Sequence, residues 1–143
     1  MRGEESFEHK ALEMKNIGEA AKAADLPVKT VRYYADIGLV APSARSEAGY
    51  RLYSEAEIAR LVFIRQARSF GFSVDASREL LSLYADASRA SADVKRIASR
   101  HVETLDAKMR ELQALRDKLG ALVEACQGDD RPDCPIIESL AAK

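Results

Sequence analysis

Cys126 and Cys134 are the chain's two cysteines, and seven residues separate them in Cys126-Gln127-Gly128-Asp129-Asp130-Arg131-Pro132-Asp133-Cys134. Paired thiolates in one short loop make a soft donor set of low coordination number, and neither histidine, His9 or His101, lies near them in sequence. Zinc takes four ligands and stays unsatisfied unless an aspartate, a water or a further cysteine joins the pair. A monovalent d10 ion such as Cu(I) or Ag(I) is satisfied by two thiolates, and the softness of sulfur favours it. Two anionic sulfurs around one monovalent cation leave a single negative charge. Backbone N–H groups of the loop, and of a helix starting near Pro135, can offset that charge. Asp129, Asp130 and Asp133 carry hard oxygens and are expected to shape the turn rather than bind a soft ion. The same thiols could instead form a redox switch, whereas an iron–sulfur cluster would need four cysteines.

A second chemistry lies earlier in the chain. Lys29, Thr30, Arg32 and Tyr33 fall on the helical face opposite Val31, Tyr34 and Ile37, so cations, a hydroxyl and an aromatic project together. In a major groove Lys and Arg take phosphates or guanine edges, while Thr and Tyr add phosphate bonds or methyl contacts. Arg45, Tyr50 and Arg51 could straddle the adjacent backbone from a hairpin. The formal net charge of −1 conceals this arrangement: residues 15–72 carry nine Lys/Arg against six Asp/Glu, and residues 73–143 carry eleven against thirteen. The basic part of the chain is the part equipped to read DNA.

The elements that must position these groups can be read in order. Residues 1–13 are acidic and aperiodic and are expected to be a disordered leader. Ile17, Ala20, Ala21 and Ala24 have helical spacing, Asp25-Leu26-Pro27 breaks the helix, and Val28 to Ile37 resumes it until Gly38 stops it. Two short helices with a tight break form a helix-turn-helix. Pro42, Gly49 and the β-leaning Tyr50-Arg51-Leu52-Tyr53 indicate a small hairpin, or wing. Ser54 to Glu57 has the S-x-x-E pattern of a capping box ahead of Ile58, Leu61, Val62 and Ile64. After Gly71, Ser73 and Asp75 cap a further helix through Leu80, Leu81 and Tyr84. Small and polar residues link this to a long helix, Ser91 to Ala125. Its Leu105, Leu112 and Leu119 stand seven apart, with Leu115 and Leu122 interleaved, a narrow seam that calls for a twin. His101 and Lys108 interrupt the seam, and Gly120 weakens the helix by roughly 1 kcal/mol against alanine. Pro135 then sits at a first helical position before Ile136, Ile137 and Leu140.

At 143 residues and 47% hydrophobic content the chain suits one small domain plus an extended element. No run is long and apolar enough to span a bilayer and the start lacks a signal-peptide core, so a cytoplasmic location with no membrane partner is expected. In that reducing compartment a disulfide is the less expected use of the cysteines. Neither a Ser/His/Asp set, a phosphate-cradling glycine loop nor an H-E-x-x-H motif is present, and an enzyme is not expected.

Ile17-Gly18-Glu19-Ala20-Ala21, Val31-Arg32-Tyr33-Tyr34, Ile37-Gly38-Leu39 and Arg45-Ser46-Glu47-Ala48-Gly49-Tyr50-Arg51-Leu52-Tyr53 together resemble the winged-helix head of MerR-type transcription regulators. The likeness continues through Arg65-Gln66-Ala67-Arg68 and Gly71-Phe72, and Pro27 departs from it where the family often has a Ser or Thr cap. The cysteine loop resembles that of the copper-responsive (CueR/HmrR-type) branch, in which the two loop cysteines are the metal ligands. Branches sensing divalent metals carry a further cysteine at the start of the long helix, contributed by the partner chain. Here Ser91 stands at that position, as a selectivity residue and not a ligand, with a helix N-cap as its plain structural role.

The resemblance implies a mainly α fold: winged helix-turn-helix DNA-binding head and connector helices (14–86), linker and dimerisation helix forming an antiparallel coiled coil (87–125), metal-binding loop with a short helix (126–143). It implies a homodimer on double-stranded promoter DNA, engaged with RNA polymerase, that distorts the duplex when Cu(I) binds and so switches on copper export or detoxification genes. Ag(I) and Au(I) are further candidate inducers. A thiol redox-sensing regulator of the same fold is the alternative.

Overall fold

Asn16 and Glu19 close a reciprocal cap at the start of the first helix. The Asn16 side chain accepts from the Glu19 amide at 2.9 Å, and the Asn16 amide donates to Glu19 Oε1 at 3.2 Å. The computed structural model describes residues 14–143, so the expected leader, 1–13, lies outside the described residues. Along them run β1 (Lys15–Asn16), α1 (Ile17–Ala24), α2 (Val28–Asp36), β2 (Ala44–Arg45), β3 (Arg51–Tyr53), α3 (Glu55–Ser69), α4 (Val74–Ala85), α5 (Ser91–Ala125) and α6 (Pro135–Ala141). The chain divides into two units after Val94.

In the first unit the break between α1 and α2 is made by Asp25, which takes the left-handed conformation at φ 56°. An aspartate tolerates that region better than a branched residue would. Its amide and that of Leu26 answer the free carbonyls of Lys22 and Ala21. Pro27 then sits at the cap position of α2 with no side-chain cap, in line with the departure noted at this residue.

The wing is a hairpin, but it belongs to a three-stranded antiparallel sheet in which β3 is central. Lys15 pairs with Tyr53 on one side and Arg45 with Arg51 on the other. A two-residue strand gives almost no periodic signal, which is why β1 is not legible in sequence. The turn from Ser46 to Tyr50 is closed by the Ser46 amide on Tyr50 O and the Gly49 amide on Ser46 O, with Gly49 at φ +87°.

The core is built from the small face of α1 (Ala20, Ala21, Ala24), Val31 and Tyr34 of α2, Leu39 and Val40, Tyr53 of β3, Leu61 and Ile64 of α3 and Leu81 of α4. Each fully buried large aliphatic side chain contributes about 1.5–3 kcal/mol. Alanines on α1 let α2 approach closely, and so the second helix is held rigidly with its other face outward.

Ser54 does precede α3, yet the reciprocal cap expected there is not made: Ser54 forms no side-chain cap bond and Glu57 is buried. The motif counts residue types, whereas here Glu57 is turned toward the domain by the packing of α3. By contrast Ser73 caps α4 as expected, its Oγ accepting from the Ala76 amide at 3.0 Å. Within α4, Leu81 is buried and Tyr84 is half-exposed, stacked on Phe63 with ring centroids 4.8 Å apart.

In the second unit α5 continues without interruption to Ala125, Gly120 included. Leu105, Leu112, Leu115 and Leu119 are exposed along it, and Leu122 is half-buried. Among the described residues no helix is long and apolar enough to cross a membrane.

Candidate metal centre and nucleic-acid interface

Cys126 follows the last residue of α5, and Cys134 occupies the cap position of α6, so two helix ends fix the termini of the intervening loop. The Sγ atoms approach to 3.2 Å. That is far beyond the ~2.05 Å of a disulfide, and both cysteines are free thiols. Inside the loop Asp129 binds Arg131 three times: Oδ1 accepts the Arg131 amide at 3.0 Å, and Oδ2 accepts Nε at 3.0 Å and Nη2 at 2.8 Å. The Asp129 carboxylate therefore shapes the turn, as its hard oxygens suggested. Gly128, at φ +67°, supplies the left-handed residue beside it.

No full capping bond forms at Cys134, yet its surroundings favour the anion. The Ile137 amide, the Cys126 sulfur and the Ile136 amide hold its thiol below the usual cysteine range, outweighing slight desolvation and the charge of Glu138. A thiolate is the metal-binding form of cysteine. A cavity of about 240 Å³ lined by Gln127, Asp129, Arg131, Cys134 and Glu138 opens beside this sulfur. Among the described residues no group of three or more His, Cys, Asp or Glu is placed to hold a metal. Cys126 and Cys134 could together offer two soft sulfurs, a pair that suits a soft ion of low coordination number better than a tetrahedral divalent ion. Ser91 is the first residue of α5 and is exposed. The helix starts at Ser91 itself, so the residue stands in its first turn, with Ala90 before it.

On the head, Lys29, Arg32 and Tyr33 are exposed on α2 and Thr30 is half-buried. Arg45 and Tyr50 are exposed on the wing, and Arg45 Nη1 donates to Gly49 O at 3.0 Å, bracing the turn. A cleft of about 630 Å³ separates wing from helix and is lined by Asn16, Arg32, Arg45, Tyr50 and Arg51. The structure therefore brings together most of the cations and aromatics expected to meet DNA. Arg51 is placed differently from the others. It is half-buried, with Nη2 donating to Asp36 Oδ1 at 3.0 Å and Nη1 buried without a partner. Beneath it the Tyr53 hydroxyl is buried without a partner, and its pKa is raised by that burial, against the opposing charge of Arg51. Asp36 was not singled out from sequence. The signal for it was an acid at the end of the cationic helix, and the fifteen-residue separation from Arg51 hid the pairing.

Comparison with known proteins shows the family. Residues 15–83 match the family model described as MerR HTH family regulatory protein, and residues 58–122 match MerR, DNA binding. The chain is 52% identical to the transcriptional regulator HmrR of Rhizobium leguminosarum bv. viciae, over 88% of this chain and 97% of that protein. It is 46% identical to the regulator CueR of Escherichia coli O6:H1, over 88% and 93%. Among solved structures it resembles the regulator PbrR691 of Ralstonia metallidurans in complex with lead(II), with TM-score 0.76, 38% identity and coverage of 90% of this chain and 100% of that one.

Proposed function

We propose that this chain, which belongs to the MerR family of helix-turn-helix transcription regulators, is a Cu(I)-responsive activator that works as a homodimer on promoter DNA. That it is a DNA-binding regulator and not an enzyme follows from the family; the metal, the assembly and the mode of activation are the proposal. One observation carries the metal: two thiols 3.2 Å apart in a loop whose Asp129 carboxylate is already engaged by Arg131.

Cys126 and Cys134 would hold the ion, with the Ile136 and Ile137 amides facing the residual negative charge. When bound, a soft monovalent cation supplies a cross-link between the two ends of the loop. The exposed leucines of α5 support pairing with a second copy, and an antiparallel pairing would set Ser91 of one chain beside the loop of the other. There a serine adds bulk and polarity but no third thiolate, which is the basis of the proposed preference for Cu(I), with Ag(I) and Au(I) sharing its chemistry. The heads would then impose a changed twist and bend on the duplex, at a cost on the order of a few kcal/mol. The ion can supply that only by binding the distorting state more tightly than the relaxed one.

Anaerobic competition of the reduced protein against a calibrated Cu(I) chelator tests the reading. One ion per protomer, with Zn(II) bound far more weakly, is the expected result. Weak Cu(I) binding combined with a transcriptional response to peroxide would favour the redox alternative, to which the close approach of the two sulfurs is also suited.

A further inference from the structure

We infer that Arg78 is a positioning residue for DNA reading: it links α4 to the C-terminal end of α2 and sets the angle at which that helix meets the bases. The inference rests on the family's DNA binding and is independent of which metal is sensed. Arg78 lies in the second turn of α4, forty and forty-one residues beyond the two carbonyls it meets. Its Nη1 donates to Gly38 O at 3.2 Å and its Nη2 to Ile37 O at 3.2 Å. Both acceptors sit just past Asp36, where α2 ends, among the carbonyls that a helix terminus leaves without internal donors.

The chemistry of the contact is directional. A guanidinium presents a planar fork that can answer two neighbouring carbonyls at once, and its charge suits the negative end of the helix dipole. Gly38 makes the arrangement possible. At φ +70° it turns the chain so that consecutive carbonyls face the same way, and nothing lies within 4 Å of where a Cβ would stand. The packing around the fork explains why it matters. Helix α4 packs mainly along α3, and α2 mainly along α1, so α2 and α4 share no extensive interface of their own. The Arg78 fork is a direct polar link between them. Helix α4 is in turn the element from which the chain passes into the Asp86 to Ala90 connector and then α5. A rotation of α4 is therefore delivered to the C-terminal end of the reading helix.

Phosphate contacts tolerate small reorientations of a helix, whereas base-edge contacts do not. Loss of the fork should then reduce discrimination more than general affinity. The test uses the full-length chain as wild type, Arg78→Ala, Arg78→Lys and Arg89→Ala. Arg89 also donates to carbonyls at the end of α4, Tyr84 O and Asp86 O, but does not reach α2, and so controls for simple loss of a helix cap. The probes are a duplex selected by the wild-type protein from a random-sequence pool, and sheared calf-thymus DNA. Arg78→Ala should lose about tenfold or more on the selected duplex while staying within about twofold on calf-thymus DNA. Arg78→Lys should lose nearly as much, since an ammonium lacks the planar fork, and it guards against a folding failure of the alanine variant. Arg89→Ala should behave as wild type on both probes. Wild-type discrimination in both Arg78 variants would overturn the inference, as would an equal loss in Arg89→Ala. So would a parallel loss on both DNAs with the log-affinity against log-salt slope shallower by about 0.9, because Arg78 would then be touching a phosphate itself. Failure of the wild type to select any duplex would instead count against DNA reading as such.

Discussion

Arg51 of the wing and Asp36 at the end of the reading helix meet at 3.0 Å, Nη2 on Oδ1, across fifteen residues of chain. The two elements proposed to face DNA are thereby tied to one another. The Arg51 side chain is 25% exposed and that of Asp36 56%, so solvent screens the pair substantially. Its direct contribution is on the order of 0.5 kcal/mol, as for most surface pairs. Asp36→Ala should lower stability by no more than about 1 kcal/mol, yet weaken binding to the selected duplex several-fold, because the wing loses its tether. Urea unfolding and fluorescence anisotropy measure the two effects separately. A loss of affinity no larger than the loss of stability would remove the tether from consideration.

At the cysteine loop, Cys126→Ser and Cys134→Ser should each abolish the proposed transcription in response to copper. Affinity of the metal-free protein for the selected duplex should stay within about twofold, since neither thiol is among the residues proposed to touch DNA. Run-off transcription with and without Cu(I) reads the first effect. A full response from either variant contradicts the two-sulfur site.

Ser91→Cys supplies a thiolate where the proposed antiparallel pairing would bring it to the partner's loop. Affinity for Zn(II) or Hg(II) should rise by about tenfold or more, because a third sulfur moves the site toward the coordination a divalent ion requires. Unchanged selectivity in a metal competition would reduce Ser91 to an ordinary first-turn residue.

Leu112 and Leu119 are 67% and 55% exposed on α5, which is unusual for leucines spaced one heptad apart. Each leucine buried in a pairing contributes about 1.5–3 kcal/mol, and symmetry doubles the count. Leu112→Glu with Leu119→Glu should therefore raise the dimer dissociation constant by about 100-fold or more. Sedimentation velocity over a concentration series decides it, and an unchanged dimer would place the interface elsewhere.

The connector after α4 makes a prediction about pH. Asp86 has its pKa lowered chiefly by the Ser88 hydroxyl, then by the Ser88 amide, and Oδ1 accepts from Ser88 Oγ at 2.7 Å and Ser88 N at 2.9 Å. A carboxyl with a depressed folded-state pKa adds stability above its unfolded value of about 3.9, and that stability is lost as pH falls through the folded value. Ser88→Ala should accordingly destabilise the protein at neutral pH, with the difference from wild type shrinking in more acidic buffer. A difference that persists unchanged into acid would exclude the ionised hydrogen bond as its source.

Much of this was written in local sequence. The alanine spacing of α1, the Asp25-Leu26-Pro27 break and the Gly38 stop each act within a few residues, and each is found where the pattern put it. What escaped was set by distant packing. Strand β1 exists because β3 runs beside it, Glu57 is buried because α3 packs inward, and Asp36 matters because the wing folds back across the helix. The cysteine pair was legible as chemistry, while the 3.2 Å approach depends on the Asp129–Arg131 turn and the two flanking helix ends.

Pro27 gives α2 no hydroxyl or carboxamide over its first turn, and no side-chain cap bond forms there. The leading amides of α2, at Val28 and Lys29, thus receive no side-chain cap from the residue before them. On a bound duplex a phosphate oxygen can stand in for the missing cap, because the start of a helix favours an anion. The grip of this helix on its operator would thus be completed by the operator itself.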